Sequence, residues 1–150
     1  MRHRALYGYK TPFLQPMAEA IKKGDGDKVK RWILKAIETP IRVLRRRYPG
    51  YSLPRDCKRL GELYLENRVP YSQVEDAIDD LSEDARDIWK DDEVGKSLAY
   101  AIAEGVSALR IKSHAMRFVF CYLTAMKKNG RSEKEIEKKA EELLISYLET

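Results

Sequence analysis

The chain has few of the residues that mark secreted, metal-binding or membrane proteins. Its 150 residues include only two cysteines and two histidines. Cys57 and Cys121 are too few for a disulfide framework or a four-ligand zinc site, which fits a reducing compartment. No apolar run approaches the roughly 18 residues of a membrane span, and no secretory signal follows the basic N-terminus. We therefore expect a cytoplasmic protein with no cofactor, no metal and no membrane partner.

Sequence motifs for catalysis are also missing. The chain has no glycine-rich phosphate loop, no dinucleotide fingerprint and no metalloprotease helix. His114 has no obvious carboxylate or second histidine beside it, and Ser113 lacks a nucleophile-elbow motif. The cysteines occupy apolar helical positions that suit small core residues. We expect a protein without catalytic residues. The alternative is a small helical enzyme that acts on a phosphate ester through His114 and Arg117.

The apolar residues that are present recur with helical spacing, and no stretch alternates convincingly with period two. With 43% hydrophobic residues, a chain of this length can form a single core. We therefore predict one all-α domain over residues 1–150, with residues 1–11 as a possible flexible arm. It would be a compact bundle of about five to seven helices. The buried central helix would run from Ala115 to Met126, where Arg117 is the only charge.

Start and stop signals divide the helical pattern. Pro40 interrupts an apolar stripe without changing its phase, which predicts a kinked helix or two helices end to end. Capping boxes are predicted at Ser72 with Glu75 and at Ser132 with Glu135. The helix that the first box opens would present one apolar face, formed by Val74, Ile78, Leu81, Ala85 and Ile88.

Charge is distributed unevenly along the chain. Residues 1–60 hold 16 Lys and Arg against five Asp and Glu, whereas residues 61–95 hold three against 12. Residues 96–150 are mildly basic, with ten against seven. A basic block that faces an acidic block indicates either an anionic partner or head-to-tail self-association.

The basic residues form the leading candidate surface. Clustered cations displace the counterions of a phosphate backbone, and arginine matches phosphate oxygens with a planar fork. The predicted nucleic-acid-binding residues are Lys28, Lys30, Arg31, Lys35, Arg42, Arg45, Arg46 and Arg47, with Arg110, Lys112 and Arg117 extending the track. The candidates for stacking on unpaired bases are Tyr7, Tyr9, Tyr48 and Tyr51. The same basic face could instead pair with the acidic helix of this chain or with an acidic protein.

The acidic block falls on the polar side of one helix. Its residues, predicted to dock a neighbouring protein, are Asp76, Asp79, Asp80, Glu83, Asp84 and Asp87. Asp76, Asp80 and Asp84 lie four residues apart and could in principle hold Mg²⁺. A single exposed helical face encloses no cavity, however, so we predict no metal site.

One stretch resembles a known family. Residues 101–109, Ala-Ile-Ala-Glu-Gly-Val-Ser-Ala-Leu, followed by Met116-Arg117-Phe118-Val119, look like the late helix of the small all-helical subunits of CRISPR RNA-guided effector complexes. The resemblance covers about 25 of the 150 residues. It implies a non-catalytic filament subunit of an antiviral complex. Such a subunit lies along the guide–target duplex and packs against copies of itself and other subunits.

Charge pattern and resemblance lead to one functional prediction. We predict a non-enzymatic subunit of a nucleoprotein assembly that contacts a nucleic-acid backbone, RNA rather than DNA, and packs against other protein subunits or copies of itself. The alternative is a protein–protein adaptor or homo-oligomeric structural protein whose basic face docks on an acidic partner.

Overall fold

The computed structural model describes residues 5–150 as a helical bundle without strands. A short 3₁₀ turn, Pro12–Leu14, precedes the α-helices. These are α1 (Gln15–Lys23), α2 (Gly26–Ala36), α3 (Glu38–Arg47), α4 (Leu53–Leu65), α5 (Tyr71–Asp87), α6 (Glu93–Ser107), α7 (His114–Lys128) and α8 (Glu133–Leu148). Only Ile37 separates α2 from α3, and with these two counted as one interrupted segment the described residues contain 7 helical units. The all-α prediction is confirmed.

The core is built on α6 and α7, which pack against each other more extensively than any other pair. Ten of the 15 residues of each helix are buried. This confirms the predicted central helix, although α6 shares that place with α7. The remaining helices cover this pair: α3 and α5 lie on α6, α4 packs on α5, and α8 packs on α7 and α1.

The interruption predicted near Pro40 is present as two helices end to end, since α2 ends at Ala36 and α3 begins at Glu38. Pro40 is the third residue of α3, where a missing N–H costs little because the first turn has no intrahelical acceptor for it. The break itself falls at Ile37, whose N–H still bonds the carbonyl of Ile33 at 3.0 Å. The two helices therefore keep one apolar stripe, with Trp32, Ile33 and Leu44 buried along it.

The helix caps confirm one predicted box and correct the other. Ser132 and Glu135 form the reciprocal capping box that opens α8. The box predicted at Ser72 and Glu75 is wrong, because α5 begins at Tyr71, directly after the extended Pro70, and thus two residues before the start that an N-cap at Ser72 requires. Ser72 is thus already inside the first turn and cannot act as the N-cap.

The apolar face predicted for the acidic helix also needs correction at its C-terminal end. Val74, Leu81 and Ala85 are fully buried, as predicted. Ile88, however, is 58% exposed, while the following Trp89 is 2% exposed. The helix ends at Asp87, so the chain no longer follows the helical period there, and Trp89 takes the core position.

Residues 5–11 lie against the bundle, whereas residues 1–4 of the predicted arm fall outside the described residues. The N–H of Leu6 donates to Thr124 Oγ1 at 2.9 Å, and the Tyr7 hydroxyl donates to Glu133 Oε1 at 2.9 Å. The ring of Tyr9 meets Phe120 edge to face, with centroids 4.9 Å apart. Within residues 5–150, no helix combines the length and apolar character needed to cross a bilayer.

The contact between α6 and the α2–α3 segment predicts an asymmetry between two glycines. A Cβ at Gly105 would lie 2.4 Å from Ile37 Cγ2, whereas a Cβ at Gly26 would have no heavy atom within 4 Å. We expect Gly105→Ala to lower the free energy of unfolding by about 1–3 kcal/mol through overpacking, although alanine favours helix. Gly26→Ala, the matched control, should leave it unchanged or slightly raised. Chemical denaturation of both variants checks this, and equal stability would contradict the close approach.

Candidate functional site

The structure divides the predicted basic residues into paired and unpaired groups. Six of them have partners within the protein. Three form ion pairs: Lys30 with Asp27, Arg47 with Asp92 and Arg117 with Glu104. Two lie over aromatic rings: Lys28 over Tyr147 and Arg110 over Tyr71. The sixth, Lys112, donates hydrogen bonds to the carbonyls of Lys22 and Gly24. Arg31, Lys35, Arg42, Arg45 and Arg46 are exposed and have no ion pair within residues 5–150. Those of the predicted basic residues that are unpaired therefore all lie on α2 and α3.

Two of the tyrosines predicted to stack on bases pack instead on a buried tryptophan. The ring centroids of Tyr48 and Tyr51 lie 5.0 and 4.9 Å from that of Trp89. The Tyr51 hydroxyl donates to Asp84 Oδ2 at 2.6 Å, and the Tyr48 hydroxyl donates to Asp92 Oδ2. These contacts tie the end of α3 and the following loop to the acidic part of the chain, so both rings have an internal structural role.

Asp92 is the centre of this connection. Its carboxylate receives Arg47 Nη2 at 2.7 Å and, as the N-cap of α6, the N–H of Gly95 at 2.9 Å. Although partial burial opposes ionisation, the bonds from Arg47, Gly95 and Tyr48 hold the pKa of Asp92 below its ordinary value. Burial and the bond to Asp92 raise the pKa of Tyr48 to about 12, which keeps this hydroxyl a donor.

Removing the charge of Asp92 should destabilise the protein in a pH-dependent way. Because its pKa is lower in the folded chain, ionised Asp92 stabilises the fold above its ordinary pKa, and this contribution is lost as the pH falls through the lowered value. We expect Asp92→Asn to lower the free energy of unfolding by roughly 1–3 kcal/mol at neutral pH. The difference from wild type should shrink below a pH of about 4.

Urea denaturation from neutral to acid pH measures both effects. The matched control is Asp91→Asn at the neighbouring carboxylate, which is exposed and has no ion pair within residues 5–150. A constant difference between wild type and Asp92→Asn at all pH values would contradict the assigned role of the charge.

His114 has a carboxylate partner that its sequence neighbours did not reveal. Its Nδ1 lies 2.7 Å from Ser107 Oγ and 3.7 Å from Glu104 Oε2, and Arg117 Nη1 approaches the same carboxylate oxygen at 4.0 Å. A nucleophile–base–carboxylate relay needs the serine and the carboxylate on opposite ring nitrogens. In this protein the Ser107 hydroxyl and the Glu104 carboxylate both lie next to Nδ1 of His114. The arrangement is therefore not a catalytic relay of that kind.

The electrostatics of this cluster favour its neutral forms. Burial raises the pKa of Glu104, an effect that Arg117 partly offsets. Burial, followed by the charge of Arg117, lowers the pKa of His114. Glu104 and Ser107 are three residues apart on α6, hence on one helix face, and this spacing was the available sequence signal. The cluster holds the α6–α7 turn together.

Both thiols are buried in the core, in accord with the sequence interpretation. Cys57 Sγ donates to the carbonyl of Ala77 at 3.3 Å. Burial raises the pKa of each thiol to about 12, so very little thiolate forms near neutral pH.

Thiol accessibility therefore reports on folding. We expect neither Cys57 nor Cys121 to react with an aromatic disulfide reagent at pH 8 while the protein is folded, because the thiols are buried and protonated. Both should react within seconds once denaturant is added. Rapid release of one thiol equivalent from the folded protein would contradict the assigned burial.

The acidic face of α5 is largely unpaired. Asp84 accepts the Tyr51 hydroxyl, and Asp87 lies 3.4 Å from Arg86. The other members of the predicted docking set have no ion pair or hydrogen bond from a described side chain: Asp76, Asp79, Asp80 and Glu83. Docking through this face stays a prediction. Over residues 5–150, no three His, Cys, Asp or Glu side chains are gathered closely enough to hold a metal ion.

A groove lies between the α2–α3 segment and α8, with α7 as its floor. It has two connected stretches, of 550 and 440 Å³, which share Thr39, Tyr122, Lys139 and Glu142 in their linings. Trp32 limits the depth of the second stretch, since its Nε1 donates to Ser146 Oγ at 2.9 Å across the two walls.

The rim of the groove carries an excess of positive charge. On α8, Lys139 pairs with Glu142 at 3.0 Å, and Arg131 pairs with Glu135 at 3.2 Å. Three further basic rim residues have no ion pair in the described chain, and only one rim carboxylate is likewise unpaired. The basic residues are Lys35, Arg46 and Lys138, and the carboxylate is Glu149. Sequence reasoning missed the groove because its walls are about 90 residues apart in the chain.

The chain matches a model of a known protein family. The model, described as "Imm-5 like putative immunity protein", covers residues 19–149 and therefore spans α2 to α8 completely. The chain belongs to this family. No curated protein and no solved structure matches it at a significant level.

Membership in the Imm-5-like immunity family corrects the functional prediction. We expected a nucleoprotein subunit that binds RNA within a CRISPR-associated antiviral complex, and this expectation is wrong because the family groups immunity proteins. The physical reason for the error is that clustered Lys and Arg complement carboxylates as well as phosphates. Charge pattern alone therefore does not separate a nucleic acid from an acidic protein.

Proposed function

We propose that this protein is an immunity protein that binds a toxin protein and neutralises it by covering a surface the toxin needs. The match of the family model over residues 19–149 carries the proposal. Neutralisation by occlusion requires a tight complex and no chemical step. The protein would act in the cytoplasm, where its two free thiols would remain reduced.

The surface chemistry supports a protein partner. The unpaired residues of the predicted basic set lie on α2 and α3, and those of the predicted acidic set lie on α5. Such segregated fields steer a charged partner to one orientation. The helices that carry these surfaces pack around α6 and α7, and this packing would hold the surfaces in place and so lower the cost of association. The cluster around His114 is instead engaged in holding a turn.

Deletion of the gene in its source organism tests this function. We expect deletion cells to lose viability, or to be outcompeted by parental cells in mixed culture, because the toxin is then not neutralised. Suppressors of this defect should map to a single toxin gene. A plasmid copy of the immunity gene should restore growth, and the purified toxin should bind the immunity protein at a fixed stoichiometry in calorimetry.

The control is a double deletion that also lacks the suppressor gene, which should grow like the parent. If the single deletion has no effect in monoculture or in competition, the proposed function is overturned. A restored phenotype without any binding between the two purified proteins would also contradict neutralisation by occlusion.

A further inference from the structure

We infer that the groove between α2–α3 and α8 is the surface that grips the toxin, and that its occupant is an acidic segment of the toxin carrying bulky apolar side chains. The inference rests on the proposed function and adds to it the site and the chemistry of the partner. Three properties of the groove support the inference: its apolar floor, the charge on its rim and its length.

The floor and inner walls of the larger stretch of the groove are apolar and partly open. Val43, Val94 and Met126 are half-buried and line its wider stretch beside Tyr122. Side chains of this kind gain most when a partner removes their remaining surface from water. An occupant therefore needs apolar groups of its own, and charge on the partner would not be sufficient.

The rim selects for negative charge. Lys35, Arg46 and Lys138 have no ion pair within residues 5–150. On the α8 side, Lys139 pairs with Glu142 and Arg131 with Glu135, so Glu149 is the one unpaired carboxylate of the lining against three unpaired cations. An acidic segment would satisfy the unpaired cations, whereas a basic segment would be repelled.

The length of the groove favours a chain segment over a small molecule. Its wall on α8 is lined from Glu135 to Glu149, which corresponds to about 21 Å at 1.5 Å per residue. That distance accommodates roughly four turns of helix or six extended residues. Recognition by such grooves combines apolar anchors below with charges along the edges.

A second copy of this chain fits the groove less well than a toxin segment. Its α5 would supply negative charge, but the apolar residues of that helix face inward: Val74, Ala77, Leu81 and Ala85 are buried. The exposed side of α5 offers Ile88 at its end and otherwise polar residues. A copy that docked through its acidic α5 would therefore leave the groove floor without apolar anchors.

The experiment compares two triple variants of the full chain against the purified toxin. The groove variant is Lys35→Glu, Arg46→Glu and Lys138→Glu. The matched control is Lys10→Glu, Lys22→Glu and Lys134→Glu, which changes net charge equally at exposed residues outside the groove. We expect the groove variant to bind at least a hundredfold more weakly in calorimetry, and the control to remain within about threefold of wild type. Circular dichroism and thermal melts confirm that both are folded.

A photo-crosslinking amino acid at Thr39, which lines both stretches, identifies the occupant directly. We expect the crosslinked toxin peptide to be rich in Asp and Glu and to carry large apolar residues. Equal losses in the two triple variants, no loss in the groove variant, a crosslink to a second copy of this chain, or a non-acidic crosslinked peptide would each overturn the inference. If the wild-type protein binds no toxin, the proposed function fails instead.

Discussion

Two consecutive helices, α6 and α7, are apolar around most of their circumference, and covering them is the constraint on which the fold depends. Ten of the 15 residues in each are buried, so each helix must be covered on several sides. The other helices meet this requirement with one apolar face each and turn their charges outward. The close approach at Gly105 shows how tightly the covering helices pack against α6.

This arrangement leads directly to the surface that we assign to binding. Because α3 packs on α6 while α8 packs on α7 and α1, the two covering helices stand apart over α7 and leave a groove between them. The basic outer face of α2–α3 borders one wall, and the unpaired Lys138 borders the other. The charge that dominates the N-terminal part of the chain is therefore concentrated beside an apolar concavity, where it can act together with burial.

The sequence predicted what depends on neighbours along the chain and missed what depends on tertiary contact. The apolar pattern identified α7 as a core helix, and the box at Ser132 formed because its partners are three residues apart. Tyr48 and Tyr51 were predicted to stack on bases, yet both rings pack against Trp89, which lies about 40 residues away in the chain. Glu104 reaches His114 only because α6 and α7 are antiparallel neighbours. The function was mispredicted for a related reason, since the charge of a basic helix face does not determine whether its partner carries phosphates or carboxylates.

The central claim is that an immunity protein holds its toxin in the groove between α2–α3 and α8. Hydrogen–deuterium exchange of the full chain, alone and in complex with the toxin, tests it most directly because it reports every face at once. The account predicts slower exchange in the complex at residues 31–46 and 131–149. Slower exchange confined to residues 71–87, on the acidic face of α5, would contradict it.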